Sequence, residues 1–318
     1  MPNLRMPFHA LSRFAKWLFI GAVFGVIAVY LLNHADRVRE IFHHMDPRWI
    51  MPLISVMFFV SLLRAFLWAY LIRSLGCSLG YCRLTAIWMY SLGGKYIPGS
   101  VWMVIGRAHR LQAEGSPIKT TSYSIALEQI VTLAAGLMLV LITPEITATL
   151  YIPPWLALGM LPLSAVLLFP NLLGEIIRKI GIRKIDLRLV PQPSIGVMMV
   201  YLTGTTIAFI ISGLGVILML RVSGASTEGF TLLNASGFNA AGFVVGYITF
   251  LAPSGIGVRE GVLVLLLNRY ISVHYALIVA FSLRFWSLIA DGAAILAGNM
   301  YISHFGNNRH LEKTDRSQ

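Results

Sequence analysis

The chain has 318 residues, of which 57% are hydrophobic and 12% are charged. Soluble domains carry about 25% charged residues, so the composition excludes an ordinary soluble globular protein. The formal net charge of +12 would suggest a nucleic-acid partner in a soluble protein. Here most basic residues lie between apolar segments, where membrane topology explains them. The composition therefore predicts an integral membrane protein that binds no nucleic acid.

Apolar segments close to the about 18 residues that span a hydrocarbon core recur along the chain. They predict an all-α, polytopic transmembrane helical bundle with about six full spans. The segments are Trp17–Asn33, Ile50–Ile72, Tyr123–Thr143, Trp155–Phe169, Ile195–Leu220 and Tyr275–Tyr301. A charged loop without a cleavage pattern follows the first segment, which favours a retained span over a signal peptide.

Basic residues are concentrated at the N-terminus, in the segment Asn171–Pro193 and in the C-terminal tail. The positive-inside rule places such segments in the cytoplasm. We therefore predict a multi-pass protein of the cell inner (cytoplasmic) membrane with both termini cytoplasmic. The chain is predicted to be a single membrane domain over residues 1–318, with pseudo-repeats at 50–143 and 195–301 and a cytoplasmic tail at 302–318.

The segment Leu84–Arg110 does not fit as a simple span, because the sequences on both sides of it are basic and look cytoplasmic. Its middle reads GGKYIPGS and contains residues that interrupt a helix. These residues are Gly93, Gly94, Pro98 and Gly99. The segment is predicted to be re-entrant, entering and leaving the membrane on the cytoplasmic side.

The segment Leu232–Tyr270 contains a second break, LAPSGIGVREG, between two apolar arms. The number of membrane crossings before it predicts that it enters from the outside. Paired broken segments of opposite orientation, one in each half, are typical of inverted-repeat transporters with a site at the breaks. The alternative is that Leu232–Leu251 and Val258–Tyr270 are an ordinary long span and a short one. The break residues here are Pro253, Gly255 and Gly257.

Ionisable side chains at membrane depth are costly and usually functional. Arg284 and Asp291, seven residues apart, share one face of the last helix. We expect them to pair with each other or with Glu128 and Arg64. These four residues are predicted to couple transport or, alternatively, to hold the bundle together as salt bridges. The full set of intramembrane charges is Arg64, Lys95, Glu128, Arg259, Glu260, Arg284 and Asp291.

Lys95 and Arg259 lie at the two breaks. If Gly257 caps the helix after the second break, Glu260 at N3 suits the positive end of that helix, whereas Arg259 does not. A cation beside a positive helix end makes sense when both face an anion. The abundant anion of a membrane is a lipid phosphate, and Tyr96 beside Lys95 would hydrogen-bond the same headgroup.

The sequences GGKYIPGSVWMVIGR (residues 93–107) and APSGIGVREG (residues 252–261) resemble, in this order, the lysylphosphatidylglycerol synthase transmembrane-region family. The resemblance extends over most of the chain and implies lipid translocation between leaflets, with the broken helices lining a lipid cavity. Some members carry a soluble aminoacyl-transferase domain that this sequence lacks, so lipid synthesis is not expected. The implied substrate-binding residues are Lys95, Tyr96, Arg107, Arg259 and Glu260.

Flippase-like transport of an anionic phospholipid or a lipid-linked headgroup is the favoured function. The alternative is a non-catalytic membrane partner of a separate glycosyltransferase or lipid synthase. An enzyme is not expected, because the sequence shows no nucleophile–base pair and no metal set. Cys77 and Cys82, without a nearby His, form no metal site. We expect no cofactor; the expected partners are anionic membrane lipids, with a lipid-modifying enzyme and a second copy of the chain left open.

Overall fold

The computed structural model describes residues 32–33, 35–96, 102–149, 153, 155, 191–225, 228–249 and 255–315, with the backbone alone for 37, 38, 42 and 305–315. The regular structure in these ranges is all helical, as predicted. Two 3-10 turns, Pro47–Trp49 and Leu92–Tyr96, are also present. The α-helices of these ranges are α1 Ala35–His43, α2 Ile50–Ser74, α3 Tyr81–Ser91, α4 Trp102–Ala113, α5 Ile118–Ile142, α6 Pro144–Thr149, α7 Ile195–Val222, α8 Leu232–Ile248, α9 Val258–Leu267 and α10 Val273–Asp315.

Four helices of the described ranges are long and apolar enough to cross a membrane, which takes about 20 residues. They are α2 with its preceding turn, α5, α7 and the part of α10 up to His304. Each coincides with a predicted span, and helix α10 continues through the predicted tail boundary at 302. The predicted span Trp155–Phe169 apart from Trp155, and Trp17–Asn33 apart from its last two residues, lie outside the described residues.

Side-chain caps mark the beginnings of two helices in the second half. Ser194 Oγ accepts a hydrogen bond from the backbone N–H of Val197 at 3.3 Å, at the start of α7. Thr231 Oγ1 accepts one from the N–H of Asn234 at 3.2 Å, at the start of α8. These bonds satisfy N–H groups that a helix leaves open in its first turn.

The helices beside the two sequence breaks are short. Helices α3, α4 and α9 have 11, 12 and 10 residues, so at 1.5 Å per residue they are about 15–18 Å long. That is roughly half of a hydrocarbon core of about 30 Å. Helix α8 has 17 residues. We call α3, the turn Leu92–Tyr96 and α4 the first hairpin, and α8 with α9 the second hairpin.

Each hairpin begins and ends at the same end of the bundle. In the first hairpin, Arg83 near the start of α3 donates a hydrogen bond from Nε to Glu114 Oε1, just after α4, at 2.8 Å. In the second, Asn234 near the start of α8 donates to the Tyr270 hydroxyl, just after α9, at 2.8 Å. Tyr270 lies three residues before the start of α10, whereas Arg83 donates a hydrogen bond to the carbonyl of Ile302 far along α10. The two hairpins therefore open towards opposite ends of the bundle.

The helix contacts of the two halves correspond to one another. Helix α2 packs on α7, and each hairpin packs on the long helix that follows the other hairpin, α3 on α10 and α8 on α5. Within the halves, α2 contacts α3 as α7 contacts α8, and α4 contacts α5 as α9 contacts α10. The same set of packing relationships thus occurs twice in the chain.

Most side chains in the interior and on the outer surface of the bundle are apolar. Trp68, Phe209 and Phe238 are completely buried, whereas Leu265 and Met300 on the outside are 62% and 69% exposed. Large apolar side chains exposed on several helices would be unfavourable in water but suit a hydrocarbon environment. The helix lengths and this surface describe a multi-pass membrane protein.

Candidate functional site

A cavity of about 140 Å³ lies where the inner ends of the two hairpins meet the long helices. Helices α2, α7, α8, α9 and α10 line it, together with Lys95 of the first hairpin. Six of the seven intramembrane charges singled out in the sequence line this cavity, and Glu128 does not. The polar residues of the lining are Ser61, Arg64, Lys95, Ser212, Asn239, Arg259, Glu260, Arg284, Ser287 and Asp291.

Asp291 connects the first hairpin to helix α10. The ammonium nitrogen of Lys95 lies 2.6 Å from Asp291 Oδ2, and the Tyr96 hydroxyl donates a hydrogen bond to the same oxygen. The Asp291 side chain is 8% exposed and that of Lys95 is 30% exposed. Lys95 is therefore the more accessible partner of a largely buried ion pair.

Glu260 belongs to the start of helix α9. Gly257 is the N-cap of this helix and Glu260 is its N3 residue, as the sequence predicted. Glu260 Oε2 accepts a hydrogen bond from the backbone N–H of Gly257 at 2.6 Å, and Arg284 Nε lies 3.7 Å from Glu260 Oε1. The carboxylate thus compensates both the helix end and a neighbouring guanidinium.

Arg259 faces neutral polar groups. Its Nη2 donates a hydrogen bond to Asn239 Oδ1 at 2.8 Å, and Asn239 Nδ2 donates in turn to Ser212 Oγ at 2.6 Å. The second bond fixes the carboxamide so that its oxygen points to Arg259. A Cβ on Gly242 or Gly246 would lie 3.1 or 3.4 Å from side-chain atoms of Arg259, so these two glycines let α9 approach α8 closely.

Arg64 is packed against aromatic rings. Its guanidinium carbon lies 4.9 Å from the ring centroid of Phe209 and 5.9 Å from that of Phe243, distances suited to cation–π contact. Arg64 Nε and Arg284 Nη2 are buried without a hydrogen-bond partner among the described residues. A buried donor without a partner costs about 1–3 kcal/mol, and more when it is charged.

The charges of the cavity do not cancel within the described residues. Four cationic side chains and two carboxylates line it, which leaves an excess of two positive charges. Uncompensated charge in a low-dielectric surrounding is strongly unfavourable. The arrangement can hold an anion, which would supply both the missing charge and acceptors for the free guanidinium N–H groups.

Glu128 and Arg107 lie in a separate buried network outside the cavity. Arg107, completely buried, pairs through Nη1 with Glu128 Oε2. Trp88 Nε1 donates to Glu128 Oε1 at 2.7 Å, and Arg107 Nε donates to Ser91 Oγ at 3.2 Å. The Trp68 ring centroid lies 4.6 Å from the Arg107 guanidinium carbon. This network connects both arms of the first hairpin to α2 and α5.

The ion pairs expected from the sequence are wrong. Arg284 and Asp291 both line the cavity, as their spacing predicts, but each pairs with a residue at the inner end of a hairpin. Asp291 pairs with Lys95, and Arg284 lies beside Glu260. The inner ends of the hairpins place an opposite charge beside each of these two residues of α10. Arg284 and Asp291 are about two turns apart on that helix and lie farther from each other than from these partners.

The described glycines of the breaks allow close backbone approaches. A Cβ on Gly94 would lie 2.6 Å from Met103 Cα. Gly255 has φ +67°, and a Cβ there would lie 2.9 Å from Gly246 Cα. Gly257 has φ +86°, whereas a Cβ on Gly93 would make only an ordinary contact. The predicted break residues Pro98, Gly99 and Pro253 lie outside the described residues.

Sequence reasoning missed the neutral part of the site. Asn239 was detectable, because a carboxamide within an otherwise apolar helix is costly unless it has a partner. Ser212, Phe209 and Phe243 carry no such signal, since hydroxyl and phenyl groups are common in transmembrane helices. In the described ranges no three His, Cys, Asp or Glu residues come together in a way that would hold a metal ion.

The apolar helices and the charged cavity among them define a multi-pass membrane protein with a polar site inside the bundle. Residues 17–294 match the family model described as the lysylphosphatidylglycerol synthase TM region. The match covers most of the chain, so the protein belongs to this family, as its motifs predicted. It is thus a membrane domain associated with lipid synthesis or translocation. No curated protein matches the sequence.

Proposed function

We propose that the protein translocates anionic lipids between the leaflets of the cell inner membrane. The observation that carries the proposal is the cavity at the inner ends of both hairpins, with its excess of two positive charges. Lipid headgroups cross a bilayer slowly because a charged group is costly in hydrocarbon. A polar cavity halfway through the bundle lowers that cost for the headgroup while the acyl chains stay in the lipid.

In this proposal the two hairpins are re-entrant, and residues 50–143 and 195–301 form an inverted repeat. Two observations support it. The hairpins open towards opposite ends of the bundle, and the helix contacts of the halves correspond. Transporters of this architecture bind their substrate at the breaks of the two repeats and alternate access around that site.

Lys95 and Arg259 bind the lipid phosphate in this account. Lys95 is already held by Asp291, so an incoming phosphate competes with that carboxylate, which keeps the hydrogen bond from Tyr96. Among the described residues, Arg259 is held by a neutral carboxamide, and it can donate its remaining N–H groups to phosphate oxygens. Glu260 positions Arg284 and the start of α9.

We propose further that the site binds and releases lipids without covalent chemistry and that both chain termini are cytoplasmic. The orientation rests on the positive-inside rule. It places the end of the bundle at which the first hairpin opens, near Arg83 and Arg110, in the cytoplasm. The second hairpin then opens to the outside, and each leaflet has one hairpin.

Translocation in proteoliposomes tests the proposal. The probe is phosphatidylglycerol with a fluorescent acyl chain, and an impermeant reductant bleaches the molecules of the outer leaflet. We expect Lys95→Ala with Arg259→Ala to slow translocation by about tenfold or more, because each cation contributes a charge-assisted bond. Arg48→Gln is the matched control, because it removes one positive charge from an 89% exposed side chain.

A double variant that translocates at the wild-type rate would contradict the proposal. A wild-type protein that moves no lipid but purifies with a stoichiometric glycosyltransferase or lipid synthase would favour the role of a non-catalytic partner instead.

A further inference from the structure

The four cations of the cavity differ in how they are compensated. Lys95 pairs with Asp291, and Arg284 lies beside Glu260. Arg259 bonds to the neutral Asn239, and Arg64 packs against phenyl rings. In the described part of the chain neither of the last two guanidinium groups has a carboxylate within ion-pair distance. The missing negative charge therefore amounts to two units, centred between α2 and α9.

We propose that this cavity recognises a phosphate monoester, the terminal phosphate of a lipid, in preference to a phosphodiester headgroup. The proposal rests on the proposed function and names its substrate class. A phosphate monoester carries a charge of about −1.5 to −2 at pH 7 and so neutralises both Arg64 and Arg259. A phosphodiester carries a single charge, which would leave one guanidinium uncompensated.

The donors of the cavity also match a monoester. Arg64 Nε and Arg284 Nη2 are buried without an acceptor among the described residues, and they belong to different helices that face the same cavity. A monoester offers three strong acceptor oxygens, and planar guanidinium groups bind phosphate oxygens in pairs. Esterification of a second oxygen removes one of these acceptors.

Competition binding measures this preference. We would compare dioleoyl phosphatidic acid with dioleoyl phosphatidylmethanol, whose acyl chains are the same and whose phosphate is a methyl diester. Native mass spectrometry of the detergent-solubilised protein gives both affinities. We expect wild type to bind phosphatidic acid about tenfold more tightly or better, since one charge-assisted interaction is at stake. Arg64→Gln with Arg259→Gln should abolish the preference, and Arg48→Gln should keep it.

Equal affinities in wild type, or a preference that survives the double variant, would overturn the inference. If the double variant does not fold, each single variant should lose part of the preference, and two unchanged single variants would also overturn it. Inorganic phosphate provides a further arm. If inorganic phosphate displaces bound phosphatidic acid, the site is supported and also binds free phosphate. If inorganic phosphate does not displace it and added phosphatidic acid does, the site is supported and is restricted to lipids.

The proteoliposome assay separates this inference from the proposed function. If wild type binds phosphatidylmethanol and phosphatidic acid equally, and both lipids cross the bilayer at rates that depend on Arg259, translocation stands and the monoester preference fails. If phosphatidic acid binds preferentially but no lipid crosses, the preference stands and translocation fails.

Discussion

Lys95 Nζ lies 2.6 Å from Asp291 Oδ2 and thereby joins the inner end of the first hairpin to the middle of the apolar part of helix α10. The pair connects the sequence break of one half to a long helix of the other. A lipid phosphate that binds Lys95 has to compete with Asp291 for it. In the proposed function, the strength of this ion pair therefore sets how tightly the cavity holds an anion.

Asp291→Asn removes the competing carboxylate and raises the positive excess of the cavity. We expect the affinity for phosphatidylglycerol to rise by about tenfold, since one ionic partner of Lys95 is lost, and translocation to slow because release becomes limiting. Native mass spectrometry and the proteoliposome assay measure the two effects. Asp46→Asn, at the turn that precedes α2, is the control; a weaker affinity in Asp291→Asn would speak against competition.

Arg107 and Glu128 should act on stability and not on lipid selectivity. Removing one member of a buried ion pair costs about 3–5 kcal/mol, so Arg107→Met and Glu128→Gln should each lower the free energy of unfolding by that order. The double variant should lose less than the sum, because no charge is left unpaired. Denaturant unfolding in detergent measures this cycle.

The relative rates for anionic and zwitterionic lipids should be unchanged in those Arg107 and Glu128 variants that fold. A changed selectivity would show that Arg107 binds substrate, as the family resemblance implies, or that Glu128 takes part in coupling.

The glycines at the hairpin ends should not tolerate a side chain. Gly94→Ala would place a Cβ 2.6 Å from Met103 Cα, and Gly255→Ala would strain a residue at φ +67°. We expect each to lower the free energy of unfolding by about 1–3 kcal/mol. A Cβ on Gly106 or Gly261 meets nothing within 4 Å, so alanine there should stabilise its helix by about 0.5–1 kcal/mol. Thermal unfolding measures these changes in stability. If all four alanine variants changed the stability equally, the close backbone approaches at Gly94 and Gly255 would be refuted.

Cysteine accessibility tests whether the hairpins return to the side from which they enter. Cys82, exposed at the start of α3, and Gln112→Cys at the end of α4 should react with an impermeant maleimide from the cytoplasmic side alone. With Cys82→Ser, the variants Leu233→Cys and Arg269→Cys should react from the outside alone. Buried Cys77 serves as the internal unreactive control. Labelling of Cys82 and Gln112→Cys from opposite sides would show that the first hairpin crosses the membrane.

The sequence predicts the parts of this fold whose cause is local. Long apolar runs and Gly/Pro breaks are properties of neighbouring residues, so four spans and the short arms at Lys95 and Arg259 were predictable. The presence of charged side chains at membrane depth also predicts that they meet, because isolated charges in hydrocarbon are too costly. Six of them do line one cavity.

The choice of partners was not predictable, because it depends on how the hairpins cross the long helices. Arg284 and Asp291 share a helix face, yet each pairs across the bundle. Arg107 and Glu128, which the resemblance and the intramembrane charge pattern placed among functional residues, lie together in a buried network away from the cavity. Such pairings follow from tertiary packing, which residue spacing along one helix does not encode.

The most direct test of the central claim follows a lipid through the cavity. A benzophenone amino acid at Ser287, in the cavity lining, is irradiated at successive times after fluorescent phosphatidylglycerol is added to one leaflet of a proteoliposome. The account predicts that the crosslinked lipid appears before labelled lipid reaches the other leaflet, and that Arg259→Ala reduces both signals together. Translocation that proceeds at full rate without any crosslink at Ser287 would contradict it.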